Sequence, residues 1–251
     1  MLLAITGTPG TGKTSVCKAL GHEIMDLNSV IEEQGFYTGV DRKRGCLIAD
    51  LDKLEEYVRH NAKKRLIIEG HLAHLLSPEV AIVLRANPSV LAERLKQKGF
   101  PPQKIKENVE AETLDVILAE AVELCETVYE VDTSGKRIEE VAAVVREIID
   151  IEIAGEEESE SGSEKKKALM AKYKPGSVDW TRYLTATLKN EKCKKLLFFF
   201  LAQPFSWKEK LYQKNLQIYV FLSTGSFFRK KVFCKKGKSV KWFLILSCVP
   251  L

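Results

Sequence analysis

Three things are scarce in this chain. Its six cysteines, at 17, 46, 125, 193, 234 and 248, include no C-x-x-C pair and no metal-ligand spacing. That excludes a disulfide framework and a cysteine-built zinc site, and no apolar leader stands ahead of the first strand, so the expectation is a reduced, cytoplasmic protein. Long apolar runs are missing as well: the longest, Leu196 to Ala202 and Trp242 to Val249, fall short of the ~18 residues of a spanning helix, and no membrane partner is expected. Acidic residues are the third scarcity, confined to one part of the chain. Residues 185–251 hold 14 Lys and Arg against 2 Asp and Glu, which leaves 25 against 32 for residues 1–184. The overall charge of +5 therefore averages an acidic body and a basic tail.

What is present alternates. Short β-branched or leucine-rich runs, at 2–6, 65–69, 80–84 and 128–132, are separated by segments of helical period, and a weaker strand is expected at 22–26. Such alternation means βαβ units and a parallel sheet covered on both faces. Helices are expected at 13–20, 28–34, 51–62, 88–98, 103–125 and 136–152, with Asn87 as cap and Pro88 in the first turn of the fourth. The resulting domain covers residues 1–153. The polar run 154–172 reads as a charged, solvated linker, residues 173–184 regain aromatics and can dock back on the body or on a partner, and 185–251 shows no domain.

Glycines at 7, 10 and 12 followed by Lys13 and Thr14 satisfy G-x-x-x-x-G-K-[ST] directly after the first strand. Phosphate charge must be met by several donors at once. Glycines let the backbone curl so that successive N–H groups point inward, and the following helix adds its positive end. Gly10 and Gly12 belong in that curl, Lys13 supplies a cation to the β- and γ-phosphates of ATP, and the Thr14 hydroxyl can ligate Mg²⁺. Glu69, where the run "RLIIE" meets its loop, is the candidate for the metal shell. His71 follows it and can either orient a water or an acceptor or stay structural. Cations that cover a transferring phosphoryl group commonly ride on a lid. Arg94 and Lys98 flank a Gly-Phe-Pro-Pro break that suits one, whereas Lys96 and Lys106 read as solvated. The loop "VDTSGK" (131–136) either holds the base or starts a helix on Thr133 or Ser134.

Taken collinearly, "GTPGTGKTS", "EEQGFYTGVDRKRGCLIADLD", "IIEGH", "VLRANPSVLAERLKQKGF", "KIKENVEAE" and "VDTSGK" resemble the archaeal-type branch of the adenylate kinase isoenzyme 6 family over residues 1–150. The resemblance implies an α/β P-loop NTPase fold of three layers: a five-stranded parallel sheet, an NMP-binding insertion near 28–51 and a short lid near 98–108. It implies ATP plus AMP giving two ADP, with ATPase activity linked to small-subunit ribosome maturation, and so a ribosomal protein and pre-rRNA as partners. By position, Gly10, Gly12, Lys13, Thr14 and Ser15 would bind ATP phosphates, and Glu69 and His71 would match the acid-x-His segment. Lys98 replaces the family's lid arginine, losing bidentate geometry. Ile31 stands where many adenylate kinases place a phosphate-binding arginine, which leaves Arg42, Lys43 or Arg44 for its work.

The basic tail has no counterpart in that resemblance. It is either an RNA-binding extension, with lysines on phosphates and aromatics stacking on bases, or the product of translation past the stop of a gene ending near Leu184. Its Lys, Phe and Leu richness suits AT-rich codons, and the second reading is the expectation. Intact-mass measurement of the native protein is expected to give less than the 28.3 kDa of the full chain; a full-length mass contradicts it.

Overall fold

The computed structural model describes residues 1–42, 45–62, 65–154, 160–180, 182–183 and 248–250. The chain divides into two compact units, Met1–Thr181 with Ser247–Leu251, and Arg182–Leu246. The fold below is that of the first. The expectation that 185–251 forms no domain lies outside the described residues, apart from 248–250.

In chain order the elements are β1 (Leu2–Thr6), α1 (Lys13–Leu20), β2 (Ile24–Asp26), α2 (Leu27–Gln34), β3 (Tyr37–Asp41), β4 (Cys46–Ala49), α3 (Leu51–Asn61) and β5 (Leu66–Glu69). A 3₁₀ turn at Ala73–Leu76 precedes β6 (Val80–Arg85). Then come α4 (Pro88–Gln97), α5 (Pro102–Thr113), α6 (Val116–Leu124), β7 (Thr127–Asp132), α7 (Ile138–Ala154), α8 (Glu160–Lys172) and β8 (Cys248–Pro250). Five strands form one parallel sheet in the order β2-β5-β1-β6-β7. The order reverses at β1, and the carboxyl ends of strands beside such a switch open the crevice in which α/β proteins bind ligands.

Two-residue alternation sends the strand side chains to opposite layers. Leu3 and Ile5 of β1, Ile82 and Leu84 of β6 and Tyr129 of β7 pack with Val16 and Leu20 of α1 and Val141, Val145 and Ile148 of α7. On the other face Ala4 and Ile68 meet Leu27, Ile31, Leu54 and Val58, while Ala81 and Val83 meet Ile117, Leu118 and Ala121 of α6. Burying such a side chain contributes roughly 1.5–3 kcal/mol, so the three layers follow from the pattern read in the sequence. Local caps fix the helix starts: Asp26 accepts from the Asn28 N–H at 2.9 Å, and Asn87 accepts from the Ser89 N–H at 3.0 Å, with Pro88 in the first turn of α4. Among the described residues no helix is long and apolar enough to cross a membrane.

The structure departs from the sequence reading in three places. The helix expected at 103–125 is two, α5 and α6, broken at Asp115, whose φ of 54° is left-handed while its carboxylate accepts from the Arg85 guanidinium. The polar run read as a solvated linker contains α8, anchored by Leu169 in the core and by Lys166, which donates to Glu152 at 2.7 Å; the consecutive charges at 164–167 leave no apolar period and hide the anchor. Within 28–51 the chain forms, after α2, an antiparallel hairpin of β3 and β4, to which β8 adds antiparallel at β4. Neither the hairpin nor β8 carries the apolar alternation that would have revealed it.

Arg85, at the carboxyl end of β6, is 1% exposed and surrounded by acids. Its Nε donates to Glu112 at 2.7 Å, Nη1 to Glu130, and Nη2 to the Glu112 carbonyl at 3.0 Å and to Asp115. Burial pulls the guanidinium pKa down, but Glu112, Asp115 and Glu130 outweigh it and hold the pKa above its ordinary value. Glu130 also binds the segment after α8: its N–H donates to the Tyr173 carbonyl at 2.7 Å, and its carboxylate accepts from Ser177 Oγ at 3.3 Å and the Val178 N–H at 3.2 Å. The aromatic stretch from 173 thus packs on the body, with Trp180 buried. Replacing Arg85 by Leu strands the buried Glu112 and Glu130 carboxylates, and chemical denaturation is expected to show a loss of ~3–5 kcal/mol; a change under ~1 kcal/mol contradicts this.

Candidate functional site

The glycine-rich loop runs from β1 into α1 along the crevice edge. Gly7, Gly10 and Gly12 have φ of 138°, 97° and 102°, a region that L side chains rarely enter. Space is tight at two of them. A Cβ on Gly7 would lie 2.3 Å from the Leu84 carbonyl oxygen, and one on Gly10 would lie 2.8 Å from Leu91 and 2.9 Å from Leu95 of α4. The loop is thus pressed between β6 and α4. Its curl closes through Thr11, whose N–H and hydroxyl both donate to the Thr8 carbonyl, at 3.2 and 2.9 Å. Gly12 precedes α1 with no side-chain cap, so the first-turn amides of the helix face the crevice as an anion site.

Lys13 points back into the curl, where Nζ donates to the carbonyls of Gly7 at 2.8 Å and Thr8 at 3.2 Å. Burial lowers its ammonium to about 8, with the Glu69 charge pulling the other way and Lys98 adding to the fall. Glu69 ends β5 and is 2% exposed. Burial raises its carboxyl pKa, Lys13 opposes this, and Asp26 raises it further. Thr14 Oγ1 lies 3.4 Å from both Glu69 oxygens. Ser15 is exposed on the first turn. Cys17, one turn further along α1, is held as a neutral thiol by burial and by Glu69, its pKa pushed up to about 12.

Lys13, Thr14, Glu69 and the glycines therefore meet at one point, and Lys98 joins them electrostatically: it caps the end of α4, and its charge acts on both Lys13 and Glu69. Arg94 does something other than what the sequence suggests. Its guanidinium donates to the Thr11 carbonyl at 3.4 Å, to Thr133 Oγ1 at 3.0 Å and to the Thr133 carbonyl at 3.1 Å. It stitches α4 to the phosphate loop and to the loop after β7 instead of travelling with the break at 98–101. That last loop is itself fixed: Thr133 Oγ1 lies 3.0 Å from the Thr11 carbonyl and 2.9 Å from the Arg85 carbonyl, and Ser134 bonds Asp132. α7 starts later, at Ile138. His71 lies buried in the turn after Glu69. Ile31 is fully buried in the apolar core and presents nothing to a ligand.

Two residues at this site escaped the sequence reading. Asp26 is the register partner of Glu69 across β2 and β5, which sets two carboxylates at adjacent strand ends beside Thr14. The signal was an acid closing the weak strand "EIMD". His74, in the 3₁₀ turn, lies 3.1 Å from Thr6 Oγ1 and 3.0 Å from Glu120 and ties the end of β1 to α6; a lone histidine in sequence gave no hint of it. Thr14 Oγ1 and the Glu69 carboxylate, with the Asp26 charge acting on Glu69, offer oxygen donors of the kind that hard divalent cations prefer, and such donors fit Mg²⁺ shared with phosphate oxygens.

A family model described as AAA domain matches residues 3–115. A Methanosarcina barkeri protein named "Putative adenylate kinase" is 44% identical over 188 residues, covering 72% of this chain and 97% of that protein. A protein of the same name from Methanocaldococcus jannaschii is 37% identical over 199 residues, covering 75% of this chain and 100% of its own length. Among solved structures, shikimate kinase from Bacteroides thetaiotaomicron aligns over 60% of this chain and 98% of its own at 19% identity and a TM-score of 0.40, too distant to bear on function.

Proposed function

The chain belongs to the family of these archaeal proteins, and from that premise we propose that it is a nucleoside monophosphate kinase, with ATP as donor and AMP as acceptor. The observation that carries the reading is the buried Lys13 inside the glycine curl, with the Glu69 carboxylate at the end of β5 as its main opposing charge. The AMP phosphate oxygen forms a bond to the γ-phosphorus as the bond from that phosphorus to the β-bridging oxygen breaks, and the products are two ADP. Charge spreads over the transferring oxygens. The loop amides and Lys13 meet that charge, Lys98 adds a second cation from the end of α4, and Arg94 keeps loop and helix in register. Thr14 and Glu69 would hold Mg²⁺, which when bound offsets negative charge on the β- and γ-phosphates. Positioning and electrostatics then supply the rate. His71 is assigned to orienting the acceptor next to Glu69, and Ser15 to a phosphate contact from the first turn of α1. The cytoplasm suits such a substrate pair.

Ile31 favours a second reading. With that position sealed in the core, the acceptor side lacks the arginine that many adenylate kinases place there. Water then becomes the acceptor, in an ATPase that serves small-subunit assembly with a ribosomal protein and pre-rRNA as partners, as the isoenzyme 6 resemblance implies.

Turnover of ATP and Mg²⁺ by the full chain, with and without AMP, CMP, UMP or GMP, separates the readings when diphosphate and free phosphate are measured independently. Diphosphate formation that requires AMP is expected, and Lys13→Ala is expected to lower it ~10²-fold or more. Free phosphate without any acceptor dependence supports the second reading, and an unimpaired Lys13→Ala variant overturns both.

A further inference from the structure

Glu112, in the last turn of α5, reaches the glycine loop from behind; it is 2% exposed and both its carboxylate oxygens are engaged. Oε1 accepts from Arg85 Nε at 2.7 Å and from the Ala86 N–H at 3.1 Å. Oε2 accepts from Thr8 Oγ1 at 2.5 Å. Thr8 is the second residue of the glycine loop, and its carbonyl is the acceptor shared by Lys13 Nζ and by the Thr11 N–H and hydroxyl. Side chain and main chain of one residue therefore join the buried acid behind the loop to the lysine inside it, on which the acid's charge also acts.

We infer that Glu112 is a positioning residue for Lys13, acting through Thr8: its carboxylate, braced by Arg85 and the Ala86 amide, sets the plane of the Thr8 peptide and so the place where the lysine head is held. A carboxylate suits the task. It accepts two well-separated sets of donors at once, and charge-assisted bonds are shorter and stronger than neutral ones. The Arg85 guanidinium meets its charge on one side, and the Thr8 hydroxyl meets it on the other. α5 also begins at the Gly99–Pro101 break beside Lys98. One helix thus carries the loop's anchor at its end and starts next to the crevice's second cation.

The inference rests on the ATP-binding reading above, and its test separates the two. Thr8→Val removes only the hydroxyl that reaches Glu112, leaving the Arg85 cluster and the loop carbonyls in place; Thr8→Ser keeps the hydroxyl. Binding of Mg·ATP to the full chain is measured by calorimetry, alongside the melting temperature. Thr8→Val is expected to weaken binding ~10-fold, while Thr8→Ser stays within ~2-fold of the parent, the difference being of the size of one hydrogen bond to a charged group. A purely structural role would lower the melting temperature of Thr8→Val and leave its ATP affinity at the parent value, and that result overturns the inference. Glu112→Gln, which keeps an acceptor but loses the charge, is expected to weaken binding as well; should it fail to fold, the Thr8 pair decides. If the parent itself does not bind Mg·ATP, the functional reading falls and this inference with it.

Discussion

Burying an ammonium inside a turn of backbone carbonyls is costly, and this protein does so at Lys13. Desolvation drives its pKa down toward neutrality, and the surrounding groups are arranged to keep a charge there all the same. The Gly7 and Thr8 carbonyls accept from it, and Glu69 supplies the nearest opposing charge. Such a site is poised for an anion. Phosphate oxygens replace weak carbonyl partners with full negative charge, so the free energy spent in holding Lys13 dry returns as affinity.

The curl that holds the lysine stands only because its outside is packed. Gly7 presses on the backbone of β6 at a distance that excludes any side chain, Gly10 packs against the leucines of α4, and Arg94 and Thr133 clasp the loop from the neighbouring elements. Behind it sits a buried ion cluster in which one guanidinium is matched by three acids. Clusters of this kind add little net stability over an apolar core, yet they are strongly destabilised when one member is lost. Their value here is geometric. Arg85 fixes the ends of β6, α5 and β7 relative to one another, and the segment following α8 docks on Glu130 from outside.

Much of this was legible in the sequence, for stated reasons. The parallel strands are short, apolar and β-branched because both their faces are buried, so β1, β5, β6 and β7 could be read to within a residue or so. The glycine loop was legible because only glycines tolerate its dihedral angles, and Lys13, Thr14 and Glu69 followed from the chemistry that such a loop serves. What stayed hidden depends on contacts between residues far apart in the chain. Glu112 and Arg85 meet across 27 positions and look like surface charges in a linear reading. The break at Asp115 is invisible for the same reason, since its cause is an ion pair and not a turn residue. Arg94 flanks the Gly-Phe-Pro-Pro break in sequence, yet its guanidinium turns the other way, onto Thr11 and Thr133.

Above pH 8 Lys13 is a dry, largely deprotonated amine, and it recovers its charge when phosphates arrive. Calorimetry of Mg·ATP binding at pH 9, repeated in buffers of different ionisation enthalpy, measures that recovery directly. With a free-state pKa of about 8, binding is predicted to take up close to one proton per ATP at pH 9 and almost none at pH 7, and the pH 9 uptake should vanish in Lys13→Met. Binding at pH 9 without proton uptake would mean that Lys13 stays charged there despite its burial, and would contradict the central claim.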